Sequence, residues 1–341
     1  MPHVVAAPDK FRGTATAAEV ADAVARAAAA CGWTCDRAPV ADGGEGTLEA
    51  VGGRVRRARV RGPLGEAVEA EWRMLDPEAP GARAAVSTAV VEAARAAGLE
   101  LAGGPEWNDP MRASTAGVGD LVVAALAARP RRVVVGVGGS ASTDGGLGCL
   151  SALEPHARLA GVELVVACDV TTAFVDAAEE FAPQKGATAA QVALLRRRLE
   201  RLAQVYLERY GTDVRAIPGA GAAGGLAGGL AAIGASLVPG FELVADTVEL
   251  AERIERADLV VTGEGFLDEH SFAGKAVGGV AELAEEAGVP VLVVVGEAFD
   301  DSPVPAVSLV ERYGRRRALA DTAGCVEEAV GDHLRGLPSR A

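Results

Sequence analysis

The sequence of 341 residues contains few aromatic side chains and fewer basic than acidic residues. Phenylalanine, tryptophan and tyrosine make up only 4% of it, which excludes a base-stacking surface for single-stranded nucleic acid as the main function. The 33 lysines and arginines are outnumbered by 47 aspartates and glutamates, so the formal net charge is -14. Because nucleic-acid backbones are bound by surplus cations, the composition predicts no nucleic-acid partner and favours a small molecule.

Cysteine is also scarce, and the chain lacks a long hydrophobic run. The five cysteines are too few and too scattered for a disulfide framework or a zinc site, so buried thiols in a reducing cytoplasm are expected. The N-terminus has neither the basic region nor the apolar core of a secretory signal. The uncharged stretch from Ala216 to Phe241 is mainly glycine and alanine and is interrupted by prolines. We therefore predict a cytoplasmic protein without a membrane span.

Strand-like valine runs alternate with alanine-rich helical stretches along most of the chain. The run from Arg132 to Val137 is rich enough in valine to be buried on both faces, and similar runs begin at Glu163, Asp258 and Pro290. Thr16 and Glu19 have the spacing of a helix capping box. This alternation predicts an α/β fold with mainly parallel strands.

One region breaks the alternation and indicates a second domain. Residues 54–75 alternate with period two around Gly62 and Gly65, which is typical of an antiparallel hairpin. The length also favours two domains. We expect a Rossmann-like three-layer α/β/α domain from residues 1–60 and 245–341, with a second α/β domain, residues 61–244, inserted in it.

Glycine is abundant, with 43 residues, and it concentrates in four loops that follow strand-like runs. These loops span residues 40–47, 136–146, 218–225 and 261–275. Ligands of open α/β sheets bind outside the carboxyl ends of the strands, where glycine lets backbone N–H groups approach phosphate oxygens. Gly221, Gly225 and Gly229 are spaced four apart, which predicts one face of a helix packed closely against other backbone.

Known nucleotide and catalytic motifs match only weakly. Residues 136–141 fit G-x-G-x-x-A, a dinucleotide fingerprint, but no well-placed ribose acid follows. Gly274 and Lys275 lack the first glycine and the hydroxyl of a P-loop. An NAD-dependent oxidoreductase and a non-catalytic binding protein therefore stay open as alternatives. Asp169, at the end of a buried strand, is placed to hold Mg²⁺ or accept a proton.

Seven motifs in this chain, taken together, resemble those of the bacterial type I glycerate kinases. They cover residues 3 to about 315 in the family's order and lie at 7–13, 39–47, 136–146, 166–171, 183–187, 218–225 and 262–275. The resemblance implies ATP- and Mg²⁺-dependent phosphorylation of D-glycerate to 2-phosphoglycerate in a cleft between the two domains. The expected oligomeric state is a monomer or a homodimer.

The resemblance and the loop chemistry together give the expected site. The predicted catalytic residues are Asp42, Asp169 and Lys185. The predicted substrate ligands are Asp9, Lys10, Arg12, Glu45, Glu264 and Asp268. The predicted nucleotide ligands are Gly138, Gly139, Ser140, Ser142, Thr143, Gly221, Gly224 and Lys275. Asp169 and Asp144 are the predicted metal ligands, although the sequence does not decide whether Asp42 or Asp169 acts as the base.

The chain departs from the family's usual pattern at positions that bear on the substrate. Lys10 and Arg12 stand where serine and lysine are usual, and Phe266 replaces a common arginine. The segment Thr172-Ala173-Phe174 replaces Asn-Pro-Leu. Because cations near an anionic substrate are altered, a kinase of a related small hydroxy acid is the main alternative function.

Overall fold

The computed structural model describes residues 1–78, 84–267, 276–298 and 305–337. The chain divides into two compact units. Unit 1 comprises Met1–Asp42, Glu49–Val51 and Phe241–Ala341, and unit 2 comprises Gly43–Leu48 and Gly52–Gly240. Each unit contains its own sheet with helices, so the predicted α/β class is confirmed. Within the described ranges, no helix is long and apolar enough to cross a membrane.

The elements follow one another in an alternating order. The strands are β1 (His3–Ala6), β2 (Thr34–Arg37), β3 (Arg54–Arg61), β4 (Ala67–Leu75), β5 (Thr88–Glu92), β6 (Arg132–Gly136), β7 (Glu163–Ala167), β8 (Ser236–Val238), β9 (Leu259–Thr262), β10 (Phe266–Leu267), β11 (Val291–Val295), β12 (Glu297–Ala298) and β13 (Ala306–Ser308). The helices are α1 (Ala17–Ala30), α2 (Thr47–Val51), α3 (Ala94–Ala97), α4 (Ala116–Leu126), α5 (Leu147–Leu153), α6 (Ala177–Phe181), α7 (Ala189–Tyr210), α8 (Ala222–Ala232), α9 (Gly240–Thr247), α10 (Leu250–Ile254), α11 (Ala276–Glu286), α12 (Leu309–Tyr313), α13 (Arg315–Ala320) and α14 (Thr322–Gly336). Short 3₁₀ turns cover His156–Leu159, Pro183–Lys185 and Val214–Ala216.

Unit 1 is built on a five-stranded sheet in the order β13-β11-β9-β1-β2, and every strand pair is parallel. The chain runs from β1 to β2 on one side and from β9 through β11 to β13 on the other. The order therefore reverses between β1 and β9. Such a reversal leaves a crevice at the carboxyl ends of the two central strands, where ligands of open α/β sheets bind.

Alternate residues of the unit 1 sheet enter different hydrophobic layers. Val4 and Ala6 pack with α1 and α14, whereas Val5 and Ala7 pack with residues of α9, α10 and α11. Helix α1 begins at the predicted capping box, because Thr16 accepts from the Glu19 N–H while Glu19 accepts from the Thr16 N–H. The two apolar faces give this unit three layers, α/β/α, as expected for a Rossmann-like fold.

Unit 2 contains a six-stranded mixed sheet in the order β3-β4-β5-β6-β7-β8. Strand β4 is antiparallel to both of its neighbours, β3 and β5, whereas β5, β6, β7 and β8 are parallel to one another. The predicted hairpin is thus present as β3 and β4, and Ala58 pairs with Ala70 at its centre. Alternate sheet residues such as Val91 and Val133 share one large core with helices α4 to α8.

The domain boundaries at residues 60 and 245 stay a prediction, and the division into units differs from them in detail. Strand β3 hydrogen-bonds to β4, so residues 54–60 belong with the unit 2 sheet. The short segment Gly43–Leu48 also belongs to unit 2, although Asp42 before it and Glu49–Val51 after it belong to unit 1. Sequence patterning did not indicate this exchange.

Candidate active site

Unit 1 carries a cavity of about 310 Å³ formed by the loops after β1, β2, β9 and β11. These loops include those that flank the reversal of strand order, as expected for a ligand site in an open α/β sheet. The cavity brings together five of the charged residues predicted for the site, which are Asp9, Lys10, Arg12, Asp42 and Glu264. Both charge signs therefore line a single crevice of unit 1.

Backbone hydrogen bonds fix the two loops at the centre of this cavity. The Asp9 N–H donates to the Gly263 carbonyl at 2.9 Å, and the Thr262 hydroxyl donates to the Ala7 carbonyl at 2.8 Å. A Cβ on Gly265 would lie 3.0 Å from the backbone nitrogen of Arg12. Glycine at 265 is thus what lets the loop after β9 approach the loop that carries Asp9 and Arg12.

Asp9 is a buried carboxylate of the cavity with a perturbed pKa. Its side chain is buried, and its Oδ1 accepts from the Lys10 N–H at 2.6 Å and lies 4.0 Å from the Lys10 Nζ. Burial raises the pKa of the Asp9 carboxyl to about 6, while Lys10 opposes the shift and the negative charge of Asp42 adds to it. A carboxyl with such a pKa can exchange a proton near neutral pH.

In unit 2 the glycine-rich loops meet at the carboxyl ends of β6 and β7. A Cβ on Gly43 would lie 2.8 Å from the Gly240 Cα, and one on Gly138 would lie 2.8 Å from the Gly44 Cα. These contacts are between backbones, so larger residues at Gly43 and Gly138 are excluded. Gly43, Gly138 and Gly224 each belong to a different predicted glycine-rich loop, and all three residues lie in unit 2.

Lys185 lies among these loops and is almost fully buried, with 4% of its surface exposed. Its Nζ donates to the Ser140 hydroxyl at 3.0 Å and to the Ser142 carbonyl at 2.6 Å. Burial lowers the pKa of Lys185 to about 7, and the Asp144 carboxylate opposes part of this shift. In this arrangement Lys185 stabilises the loop after β6, and its predicted catalytic role stays a prediction.

Asp144, a predicted metal ligand, accepts hydrogen bonds with both carboxylate oxygens. The donors include the backbone N–H groups of Thr115, Gly146 and Gly148 and the Thr115 hydroxyl, at 2.9 to 3.2 Å. These bonds join the starts of α4 and α5. The surroundings of Asp144 therefore favour a role in holding the loop after β6 over metal ligation.

The other predicted site residues of unit 2 differ in their burial and in their hydrogen bonding. Asp169 follows β7 and is partly buried, and its Oδ1 accepts from the Gly240 N–H at 2.6 Å. Glu45 is exposed. The hydroxyl oxygens of Ser142 and Thr143 are buried and, in the described part of the chain, have no hydrogen-bond partner. Asp268 and Lys275 lie outside the described residues.

The prediction that Gly221, Gly225 and Gly229 share one face of a regular helix is wrong in its geometry. Residues 223–225 have left-handed backbone angles and interrupt α8. The predicted close packing is nevertheless present, because a Cβ on Gly225 would lie 2.8 Å from the Gly145 Cα. The Gly145 N–H also donates to the Gly224 carbonyl at 3.0 Å. The loop after β6 therefore packs directly against this interruption.

Sequence analysis missed Glu92, which the structure connects to one of the glycine loops. Glu92 is the last residue of β5 and is 1% exposed. Its Oε1 accepts from the backbone N–H groups of Gly46 and Leu48 at 3.0 and 2.9 Å. The only signal in the sequence was an acidic residue at the end of an apolar run, followed by alanines.

Comparisons with known proteins identify the family of this chain. The model of the glycerate kinase family matches residues 4–156 and 154–308. Glycerate 2-kinase of Escherichia coli K12 is 36% identical over 351 residues, covering 91% of this chain and 88% of the relative. An uncharacterized protein of Mycobacterium bovis is 39% identical over 360 residues, covering 99% of this chain and 90% of the relative.

A solved structure shows the same fold. It comes from Salmonella typhimurium LT2, is provisionally assigned as glycerate kinase 2, and matches with a TM-score of 0.80 at 30% identity. The match covers 98% of this chain and 99% of that chain. The chain therefore belongs to the glycerate kinase family, and it is a kinase. This membership gives no support to the oxidoreductase or to the non-catalytic alternative.

Proposed function

We propose that this kinase uses ATP and Mg²⁺ to phosphorylate the 2-hydroxyl of D-glycerate, giving 2-phosphoglycerate and ADP. The observation that carries the proposal is the cavity of unit 1, which gathers two cations and four carboxylates at the reversal of strand order. A small hydroxy acid needs both kinds of group, because one part of it is an anion and another part must lose a proton.

The cations of the cavity suit the carboxylate of the substrate. Arg12 offers a planar pair of N–H donors that matches a carboxylate in bidentate geometry, and Lys10 adds a second positive charge. Binding the acid through Arg12 would orient its hydroxyl groups. In phosphoryl transfer, positioning and electrostatics supply most of the catalysis, so this orientation is itself catalytic.

The carboxylates of the cavity suit the proton of the attacking hydroxyl. In the proposed step the hydroxyl oxygen forms a bond to the γ-phosphorus, the bond from that phosphorus to the bridging oxygen breaks, and ADP leaves. Asp42 takes the proton that the hydroxyl loses. Asp9 lies close enough to Asp42 for the negative charge of Asp42 to contribute to the raised pKa of the Asp9 carboxyl, so Asp9 is a second group of the cavity that can take up a proton near neutral pH.

The loops of unit 2 suit the nucleotide. The buried hydroxyls of Ser142 and Thr143 have no partner among the described residues, and a phosphate oxygen is the kind of acceptor that they lack. Among the described residues, a Cβ on Gly139 would come within 4 Å of the Ala94 Cβ alone, at 3.5 Å, so this glycine leaves room for a ligand. Gly138, Gly221 and Gly224 instead pack against protein backbone and shape the loops. The positive charge of Lys275 is the further contribution that we expect.

The acidic residues fit Mg²⁺ better than a transition metal. In the described ranges no group of three His, Cys, Asp or Glu side chains forms a dedicated metal cage. Magnesium in kinases is typically held by one or two carboxylates together with the substrate phosphates. Asp169 is the residue that we assign to it, and the ion would neutralise the charge of the triphosphate. The cytoplasmic location and the oligomeric state stay predictions.

A related hydroxy acid is the second candidate substrate. Phe266 and Leu319 line the cavity and are 45% and 52% exposed. Two exposed apolar side chains near the proposed carboxylate site would tolerate a substituent that D-glycerate lacks. The substrate is thus proposed as a small 2-hydroxy acid, with D-glycerate the first choice.

The test is a panel of hydroxy acids assayed by ADP release, with D-glycerate, L-glycerate, lactate and larger 2,3-dihydroxy acids. Enolase added without a mutase reports the position of the phosphate, because enolase consumes only the 2-phosphate. We expect the highest kcat/KM for D-glycerate, dependence on Mg²⁺, and a direct enolase signal. A signal that appears only when mutase is added would reassign the product to the 3-phosphate. No turnover of any acid in the panel would overturn the proposal.

A further inference from the structure

The segment Gly43–Leu48 is held on several sides by residues of unit 2. A Cβ on Gly136 would lie 2.4 Å from the Gly43 carbonyl oxygen, so the end of β6 contacts the segment without a side chain between them. The Thr47 hydroxyl is fully buried and donates to the Gly44 carbonyl at 2.7 Å, which closes the turn. The segment carries Glu45 and follows directly on Asp42 in the chain.

Glu92 provides the charged contact to this segment. Its Oε1 accepts from the N–H groups of Gly46 and Leu48, and its Oε2 accepts from the Arg95 Nε at 2.9 Å. A buried carboxylate is costly to desolvate unless its oxygens are hydrogen-bonded. Three donors meet that requirement, and two of them belong to the segment.

The local backbone explains why a distant residue is needed. Helix α2 starts after Gly46, which adopts a left-handed conformation with φ of 98° and offers no side chain to cap the helix. A serine or aspartate would cap a helix start but is strained at this φ. Glycine therefore provides the turn, and Glu92 provides the acceptor that a capping side chain would otherwise supply.

We propose that Glu92 is a positioning residue for phosphoryl transfer, which holds Gly43–Leu48 and thereby fixes the backbone that directly follows Asp42 in the chain. This inference rests on the proposed role of Asp42 as the base. Glu92 touches neither substrate nor nucleotide in this scheme. Its contribution passes through the two N–H groups, so it depends on the reach of the carboxylate more than on its charge.

Two variants separate reach from charge. Glu92→Gln keeps the length and an acceptor oxygen but removes the charge, whereas Glu92→Asp keeps the charge and withdraws the oxygens by one methylene group. We expect kcat/KM to fall by about 10² in Glu92→Asp, because misplacement of about 1 Å costs this much in other enzymes. Glu92→Gln should lose less, about fivefold, because its oxygen still accepts from the two N–H groups although its amide nitrogen cannot accept from the Arg95 Nε.

The matched control is Thr88→Val, at the opposite end of β5. The Thr88 hydroxyl is in a buried residue and donates only to the Val86 carbonyl among the bonds described. This variant perturbs the same strand without touching the segment. It should lower the unfolding temperature while kcat and KM, measured well below that temperature, stay unchanged.

Amide hydrogen exchange provides a readout that needs no substrate. We expect the amides of residues 43–48 to exchange at least about tenfold faster in Glu92→Asp, and at the original rate in Glu92→Gln and Thr88→Val. Unchanged exchange and unchanged kinetics in Glu92→Asp would overturn the inference. So would equal losses in Glu92→Asp and Glu92→Gln, because charge rather than reach would then decide. If the unmodified enzyme turned over no hydroxy acid, the proposed function would fail. The exchange rates of residues 43–48 would still show whether Glu92 stabilises the conformation of the segment.

Discussion

The cavity of unit 1 and the glycine loops of unit 2 illustrate two different ways to prepare a binding surface. In unit 1 the surface consists of charged side chains, and burial and neighbouring charge tune the proton affinity of Asp9. In unit 2 it consists mainly of backbone, because Gly43, Gly138 and Gly225 leave no room for side chains. In a site lined by side chains, a single substitution can change the specificity. In a site formed by the backbone, the shape depends on the packing of the whole unit. The expected effects of mutation therefore differ in kind.

The largest effect should come from removing a catalytic charge. We expect Asp42→Asn and Asp169→Asn each to lower kcat by about 10² or more, the usual scale for a general base. Both substitutions keep the side-chain volume and should leave the fold intact. The control is Asp120→Asn, which removes a carboxylate paired with Arg61 at 2.7 Å on the surface of unit 2. Near-native turnover of Asp169→Asn at saturating Mg²⁺ would remove Asp169 from the mechanism.

The second effect tests whether the loops of unit 2 depend on backbone packing. Gly43 and Gly211 have similar left-handed angles, with φ of 79° and 76°, but a Cβ at Gly211 would meet nothing within 4 Å. We expect Gly43→Ala to lower the free energy of unfolding by about 2–4 kcal/mol, because overpacking adds to the backbone strain. Gly211→Ala should cost only about 1 kcal/mol. Urea denaturation measures both, and equal costs would mean that packing around Gly43 contributes nothing.

A smaller effect should follow from a change of side chain in the cavity of unit 1. We expect Arg12→Lys to raise KM for the hydroxy acid about tenfold and to leave KM for ATP unchanged, because lysine cannot form the bidentate pair. Arg26→Lys is a suitable control, since Arg26 forms an exposed ion pair with Glu327 in the same unit. An increase in KM for ATP instead would place the nucleotide, rather than the acid, in this cavity.

The smallest expected effect is the contribution of Lys185 to the pH dependence of the free energy of unfolding. In the unfolded chain lysine keeps its proton up to a pKa of about 10.4, whereas in the folded chain burial lowers the pKa of Lys185 to about 7. Between these values the unfolded state binds more protons, so this residue makes stability rise with pH, by at most about 1.4 kcal/mol per pH unit. Lys185→Met should lack this contribution. Parallel stability curves for the two proteins from pH 6 to 9 would contradict the assigned burial.

Sequence analysis succeeded where the signal was local. The capping box at Thr16, the valine runs of β6 and β11, and the hairpin of β3 and β4 each lie within a short stretch of chain, and all are present in the structure. Asp9, Lys10 and Arg12 line the cavity of unit 1, which agrees with their position after β1 at the carboxyl edge of a parallel sheet, and their role as substrate ligands stays a prediction.

The features that sequence analysis missed depend on contacts between distant segments. The spacing of Gly221, Gly225 and Gly229 predicted one face of a helix packed against other backbone. The packing against Gly145 is present, but residues 223–225 have left-handed backbone angles that interrupt the helix. Glu92 looked like the end of a strand, and only its bonds to Gly46 and Leu48, more than forty residues earlier in the chain, give it a role. No periodicity encodes a partner at that separation.

The exchange of short segments between the units has a consequence for dissecting the protein. The chain passes from one unit to the other after Asp42, Leu48, Val51 and Gly240. A fragment from Gly52 to Gly240 would therefore lack Gly43–Leu48, the six residues that contact the end of β6. The remaining fragment would contain these six residues although they belong to unit 2. Gene fusion or domain exchange with another member of the family would have to transplant two separate stretches of chain. A cut at a single peptide bond therefore does not divide the chain into its two units.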